Sequence, residues 1–162
     1  MAIAVDAMGG DRPLTVQVEA AVQAVKDFGI EVIIVGAEAQ ISEQLKQYSY
    51  DQQKVRVVNS TEIVEMNESP ATSLRQKKDS SIRVAVDLVK AGEADAVVSA
   101  GNTGASMATA KFVLKSVEGI ERPAIASLMP SVHRNHPFVL LDVGANTDCK
   151  PLYLFQFARS EE

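Results

Sequence analysis

The sequence contains one cysteine, Cys149, among its 162 residues. A single thiol excludes a disulfide framework and the paired cysteines of a zinc finger, and it fits a reducing compartment. An excess of basic residues is also missing, because the formal net charge is −5. This charge disfavours nonspecific binding to nucleic acid and a purely electrostatic attachment to membranes.

Targeting and membrane-spanning segments are missing as well. No apolar run approaches the length of a membrane span, and the first residues, MAIAVDAMGGDRP, lack the basic and long apolar regions of a signal peptide. With 46% apolar and 23% charged residues, the composition is that of an ordinary globular domain. We therefore expect a cytoplasmic protein.

Three common catalytic or nucleotide-binding fingerprints do not occur. The sequence has no G-x-G-x-x-G dinucleotide motif, no G-x-x-x-x-G-K-[ST] phosphate loop and no G-x-S-x-G nucleophile elbow. The spacing of its glycines therefore indicates no nicotinamide or nucleotide site, and we expect no cofactor. A serine hydrolase is disfavoured on the same ground.

What the sequence does contain is an alternation of strand-like and helix-like segments. The apolar runs are continuous, as expected of parallel strands that are covered on both faces. This pattern predicts an α/β fold with a mainly parallel sheet in one domain over residues 1–162. The predicted strands span 2–7, 31–36, 54–60, 94–100, 124–130 and 138–144; the predicted helices span 13–29, 37–48, 79–93 and 104–117, with a last one from Pro151, and 61–78 is a loop with a short helical piece.

Three glycine-containing loops follow predicted strands: DAMGGD (6–11), SAGNTGA (99–105) and DVGANTD (142–148). In an open parallel sheet, ligands bind at the carboxyl ends of the strands, so we expect all three loops along one edge. Glycine lets the backbone approach a ligand, and free N–H groups at a helix start attract anions. An oxyanion or phosphate site is one interpretation, and three tight turns with helix caps are the other.

Other polar groups give weaker indications. Arg75, Lys77 and Lys78 precede a predicted helix and either attract an anionic substrate or acidic carrier protein or form a solvated basic loop. His133 and His136 lie in a polar loop without further metal ligands, so an exposed turn is favoured over a metal site. Cys149 has no placed histidine partner, and we expect a packed or half-buried thiol rather than a nucleophile.

Taken together and in this order, five motifs resemble those of one bacterial family. The motifs are VDAMGGD (5–11), RQKKDSS (75–81), GEADAVVSAGNTGA (92–105), RPAIAS (122–127) and LLDVGANTDCKP (140–151). They are similar to those of the fatty acyl–acyl carrier protein:phosphate acyltransferase family (PlsX), and the resemblance extends to about Ala158. This chain would correspond to about the first half of the family's chain.

The resemblance implies a three-layer α/β/α fold related to phosphotransacetylases and to isocitrate and isopropylmalate dehydrogenases. It implies transfer of a fatty acyl group from acyl carrier protein to inorganic phosphate, which supplies acyl phosphate for phospholipid synthesis. It also implies a homodimer that associates with the membrane surface. The family's second half should hold a catalytic lysine, the membrane helix and much of the dimer surface, so we expect this half chain alone to be inactive.

The sequence departs from the family pattern at two positions besides its length. Arg12 stands where the family usually has histidine, and a permanent cation can hold an anion but cannot act as a base at neutral pH. Ser106 stands where the family usually has leucine.

From these motifs we expect a phosphate or substrate cleft. Thr103 would cap the following helix and leave Asn102 to face the ligand, with Ser99 at the end of the preceding strand. Two other interpretations of the chain stay open: a short-chain phosphotransacetylase that uses coenzyme A, and a non-catalytic fragment or dimerising module. The cleft residues would be Gly101, Asn102, Thr103 and Gly104 as the cradle with Ser99, Asn146 and Asp148 along the same cleft, and Gly9, Gly10 and Asp11 as the opposite wall.

Overall fold

Six strands and six α-helices make up the described part of the chain, which comprises residues 1–132, 136–143 and 148–159 of a computed structural model. The chain divides into two compact units, Met1–Leu114 and Lys115–Glu162. The prediction of one domain over 1–162 stays a prediction. The strands are β1 (Ala2–Asp6), β2 (Glu31–Gly36), β3 (Val55–Asn59), β4 (Ala96–Ser99), β5 (Ala126–Met129) and β6 (Phe138–Leu141); the helices are α1 (Leu14–Phe28), α2 (Glu38–Leu45), α3 (Pro70–Gln76), α4 (Ser81–Lys90), α5 (Thr103–Leu114) and α6 (Pro151–Arg159).

The first unit contains a four-stranded parallel sheet with the order β3-β2-β1-β4. Alternate residues of β2 enter two different cores, because successive side chains of a strand point to opposite faces. Val32 and Ile34 pack with α1 and α2, whereas Ile33 and Val35 pack with α4. Burial on both faces is the physical reason for the continuous apolar runs in the sequence.

Helices cover both faces of this sheet. Helices α1 and α2 cover one face, and α4 covers the other, where it also packs against α5 through Ile82, Val86 and Ala105. The predicted three-layer α/β/α architecture is thereby confirmed for the first unit. Helix α1 ends where the sequence predicts, because Gly29 takes the left-handed conformation (φ 64°) that a side chain would disfavour.

The strand order places a topological switch point between β1 and β4. From β1 the chain moves outward through β2 and β3, and it then returns to the other side of β1 to form β4. In open parallel sheets, ligands bind in the crevice outside the carboxyl ends of the strands at such a point. The loops that leave β1 and β4 are two of the three glycine loops.

The second unit contains a different sheet. Strands β5 and β6 pair antiparallel, with Ala126 opposite Leu141 and Met129 opposite Phe138. The expectation that the last strand lies parallel to β1 and β4 in one sheet is therefore wrong, whereas the expectation for the loop that follows it stays a prediction. Apolar runs are compatible with either pairing, which is why the sequence did not distinguish them.

In the described ranges, no helix is both long and apolar enough to cross a membrane.

Candidate functional site

The last residues of β1 and β4, Asp6 and Ser99, are directly opposite each other in the sheet register. Asp6 is buried, with 2% of its surface exposed. Its Oδ2 accepts a hydrogen bond from the Ser99 hydroxyl at 2.7 Å, and its Oδ1 accepts from the N–H groups of Met8 and Gly9 at 3.2 and 3.1 Å. A buried carboxylate needs such donors, because an unpaired buried charge is costly.

The two loops touch through their glycines. A Cβ atom added to Gly9 would lie 2.5 Å from Asp6 Oδ2 and 3.0 Å from both Cα and N of Gly101. At Gly10, where φ is +96°, an added Cβ would lie 2.7 Å from the carbonyl oxygen of Ala100. Glycine is thus required at Gly9 for the close approach and at Gly10 for both its conformation and the space.

Asn102, and not Thr103, caps α5. Its Oδ1 accepts a hydrogen bond from the N–H of Ala105 at 3.0 Å, which is the bond that defines a side-chain N-cap. The prediction that Thr103 caps the helix and leaves Asn102 free is wrong. Both residue types are good N-caps, and here the helix starts one residue earlier than the sequence indicated.

The amide nitrogen of Asn102 is also in use. Its Nδ2 donates to the carbonyl oxygens of Glu65, Met66 and Glu68 at 3.2, 3.0 and 2.9 Å. The same turn is followed by α3, whose Pro70 lies so close to Gly104 that an added Cβ there would be 2.8 Å from Pro70 Cγ. Asn102 therefore fastens the 65–68 turn to the start of α5 as well as capping the helix.

Several backbone N–H groups of the two loops remain available. Gly101 N–H donates to the Ser99 hydroxyl oxygen at 3.1 Å, and Ala105 N–H is capped. Within the described ranges, by contrast, the N–H groups of Gly10, Thr103 and Gly104 donate no hydrogen bond. Two of them lie in the first turn of α5, where unpaired N–H groups and the helix dipole favour an anion.

A cavity of about 320 Å³ adjoins the second glycine loop. Its apolar lining comes from α4, β4 and α5, and the rest comes from the end of β4, the loop and the first turns of α5. The apolar residues are Ile82, Val97, Met107 and Ala110, and the others are Ser99, Gly101, Thr103 and Ser106.

The predicted basic cluster is divided in the structure. Lys77 is partly buried, and its Nζ donates to Glu68 Oε2 at 2.5 Å and to the carbonyl oxygen of Ile63 at 2.6 Å. The hydrogen bond from Lys77 lowers the pKa of the Glu68 carboxyl group. Arg75 and Lys78 are exposed, as are Asp11 and Arg12 at the end of the first loop.

The predicted residues of the third loop belong to the second unit. Asn146 and His133 lie outside the described residues, and Asp148 and His136 are exposed. Cys149 is exposed too, so the prediction of a packed or half-buried thiol is wrong. Loss of hydration and then the hydrogen bond from Sγ to Asp142 Oδ2 (3.4 Å) raise the pKa of the thiol, which disfavours the reactive thiolate.

Asp6 is the functional candidate that sequence reasoning missed. It is the last residue of a buried strand, and an acidic residue is not an obvious member of an anion site. The signal available in the sequence was a pair of polar residues, Asp6 and Ser99, that each end an apolar strand just before a glycine loop.

The family model and the similar proteins described below match the same, nearly complete part of this chain. A family model described as "Fatty acid synthesis protein" matches residues 1–161. Proteins named "Phosphate acyltransferase" from Geotalea uraniireducens, Geobacter sulfurreducens and Clostridium kluyveri are 51%, 49% and 46% identical over 158 residues. The matches cover 98% of this chain but only 45–47% of the relatives, so the chain spans less than half of their length.

A solved structure supports the fold. The crystal structure of a phosphotransacetylase from Streptococcus pyogenes matches with a TM-score of 0.72 and 22% sequence identity. The match covers 98% of this chain and 51% of that protein. At this identity the similarity establishes a common fold.

Proposed function

Since this chain belongs to the fatty acid synthesis protein family, we propose that it carries the phosphate-binding part of an acyltransferase whose acyl acceptor is inorganic phosphate. The acyl donor in this proposal is the thioester of acyl carrier protein, and the acyl phosphate product serves phospholipid synthesis. The name "Phosphate acyltransferase" of the relatives supports the reaction class. The carrier protein as donor rests on the motif resemblance.

One observation carries the proposal: the switch-point crevice has unused backbone N–H groups on two loops that touch. Gly10 contributes one group from the first loop, and Thr103 and Gly104 contribute two from the start of α5. Unpaired N–H groups at a helix start are a general solution for binding phosphate. Ser99, Gly101 and Asn102 support this cradle through the contacts described above. Asp11 stays proposed as a residue of the opposite wall, and the assignment of Asn146 and Asp148 to the cleft stays a prediction.

The proposed reaction forms a bond between a phosphate oxygen and the thioester carbonyl carbon. The carbon–sulfur bond breaks, and its electron pair leaves on the carrier's thiolate, which takes up a proton from solvent. The cradle contributes by holding phosphate in line with the carbonyl group. A donor to the developing oxyanion is worth about 2.7–4 kcal/mol in enzymes that stabilise such intermediates.

The cavity next to the second glycine loop supports an acyl donor. Ile82, Val97, Met107 and Ala110 provide apolar surface beside the proposed cradle. A methylene group that is transferred from water to such surface contributes about 0.8 kcal/mol. We place the first part of the acyl chain there.

The proposal has further elements. The family resemblance adds a homodimer at the membrane surface, and the sequence adds a cytoplasmic location and the attraction of the acidic carrier protein by exposed Arg75 and Lys78. Lys77 belongs to the same basic cluster, and its ion pair with Glu68 gives it a structural role in addition.

The function is testable in a chimera in which this chain replaces the 158 matched residues of the Geotalea uraniireducens relative. We expect phosphate-dependent release of free carrier thiol and an acyl phosphate that hydroxylamine traps, whereas the 162-residue chain alone should give neither. A chimera that is folded but inactive beside an active parent would contradict the proposal. Faster release from acyl-coenzyme A than from acyl carrier protein would instead favour a phosphotransacetylase.

A further inference from the structure

A continuous line of hydrogen bonds joins the two glycine loops through one buried side chain. The N–H groups of Met8 and Gly9 donate to Asp6 Oδ1, and the Ser99 hydroxyl donates to Asp6 Oδ2. The Ser99 oxygen accepts in turn from the N–H of Gly101. The backbone of the first loop is thereby connected to the backbone of the second.

We propose that Asp6 is a positioning residue for phosphate, which acts through Ser99 by fixing the two loops against each other. This inference rests on the proposed function. Asp6 itself does not donate to the anion, because an ionised carboxylate only accepts. It sets the relative placement of the Gly10 N–H group and of the Thr103 and Gly104 N–H groups.

A carboxylate suits this task better than its neutral analogue. It offers two oxygens, and here each accepts from a different loop. An asparagine at the same position would have one accepting oxygen, and with that oxygen on the first loop its NH₂ group would face the Ser99 hydroxyl, which would have to accept instead of donate. Asp6→Asn thus preserves shape but replaces the charge-assisted hydrogen bond from Ser99 with a weaker neutral one of reversed direction.

The charge of Asp6 makes the test decisive. A negative charge beside an anion site weakens anion binding by Coulomb repulsion. If charge were the main influence of Asp6, Asp6→Asn would tighten phosphate binding. If Asp6 positions the loops, the same substitution weakens it, and Ser99→Ala, which leaves the charge in place, weakens it as well.

The experiment compares Asp6→Asn, Ser99→Ala and the double variant in the 162-residue chain. Titration calorimetry gives the Kd of inorganic phosphate, and NMR gives the amide shifts of Gly10, Thr103 and Gly104. Ser99→Thr keeps the hydroxyl group and tests rescue. Ser80→Ala is the control, because Ser80 is a buried serine that donates its hydroxyl elsewhere, to the carbonyl oxygen of Lys77.

We expect each single variant to weaken phosphate binding at least tenfold, which corresponds to about 1.4 kcal/mol. The double variant should bind phosphate no more weakly than the single variant with the lower affinity, because both substitutions affect the same connection. Ser99→Thr should bind like the unmodified chain, and so should Ser80→Ala. Unchanged or tighter binding in Asp6→Asn with unchanged amide shifts would overturn the inference, as would full additivity in the double variant.

Two other outcomes also decide whether Asp6 positions the loops. If Asp6→Asn does not fold, Ser99→Ala alone distinguishes positioning from charge, because it keeps the carboxylate. If the unmodified chain binds no phosphate, the proposed function fails for this chain. The positioning inference is then judged by the amide shifts: a common displacement in Asp6→Asn and Ser99→Ala supports it, and unchanged shifts overturn it.

Discussion

The backbones of Gly9 and Gly101 lie against each other, so closely that a Cβ on Gly9 would be 3.0 Å from Gly101 Cα. These glycines belong to loops that leave two neighbouring parallel strands, β1 and β4. Their contact determines how near the unused N–H groups of the two loops can come. A substitution that fills the space at Gly9 is thus a direct test of whether the two loops bind phosphate together.

Gly9→Ala should push the loops apart. The added methyl group meets Asp6 Oδ2 at 2.5 Å and the Gly101 backbone at 3.0 Å, and overpacking of this kind costs about 1–3 kcal/mol. We expect that loss of unfolding free energy in urea, together with weaker phosphate binding. Gly92→Ala is the control: its φ of +75° makes alanine unfavourable by about 1–2 kcal/mol, but no atom lies within 4 Å. That variant should lose stability and keep its phosphate affinity, and equal phosphate affinity in Gly9→Ala would contradict the prediction.

Substitutions of Asn102 should separate its two roles. Asn102→Asp keeps an oxygen for Ala105 N–H but loses the donor to the carbonyl groups of Glu65, Met66 and Glu68. Asn102→Ala loses both, and the lost cap costs about 0.5–2 kcal/mol. We expect faster hydrogen exchange in residues 63–69 for both variants, and faster exchange in the first turn of α5 for Asn102→Ala only. Unchanged exchange at 63–69 in Asn102→Asp would show that the turn is held by other contacts.

The Lys77–Glu68 ion pair should make stability depend on pH. The pKa of Glu68 is lowered in the folded chain, chiefly by the hydrogen bond from Lys77. A lowered pKa contributes stability above the unfolded value of about 4.3, and the contribution is lost as the pH falls through the lowered value. We therefore expect Glu68→Gln to have a lower Tm than the unmodified chain at pH 7, with the difference shrinking towards pH 3.

Glu43→Gln is the matched control for that measurement. Glu43 pairs with Lys46 on the exposed side of α2, and exposed pairs of this type contribute little. Its Tm should follow that of the unmodified chain at both pH values. A Tm difference for Glu68→Gln that stays constant from pH 7 to pH 3 would rule out the ion pair as its cause.

Local pattern was sufficient to predict most of the first unit. Strand β2 occupies 31–36 as predicted. A short, continuous apolar run that lies between the end of one helix and the start of a polar helix is typical of a buried strand. The order of the strands was not predictable, since it depends on contacts between distant segments. For β5 and β6 the same limit led to a wrong expectation, an extension of the parallel sheet in place of an antiparallel pair.

The candidate site was predictable at the level of loops but not of atoms. Glycine, asparagine and threonine after a buried strand correctly indicated a tight turn into a helix at 101–104. Which side chain caps that helix depends on where the first turn begins, and a shift of the helix start by one residue changes the capping residue. The role of Asp6 depends on its register with Ser99, 93 residues further along the chain, and local patterns carry no information about that distance.

We expect phosphate to bind where the two loops meet, and an NMR titration of the ¹⁵N-labelled 162-residue chain with inorganic phosphate measures this binding residue by residue. Binding there should give saturable shifts of the Gly10, Thr103 and Gly104 amides, with the exposed turn at Gly92 unchanged and sodium chloride at equal ionic strength without effect. Shifts that do not saturate, or that saturate only outside these two loops, would contradict it.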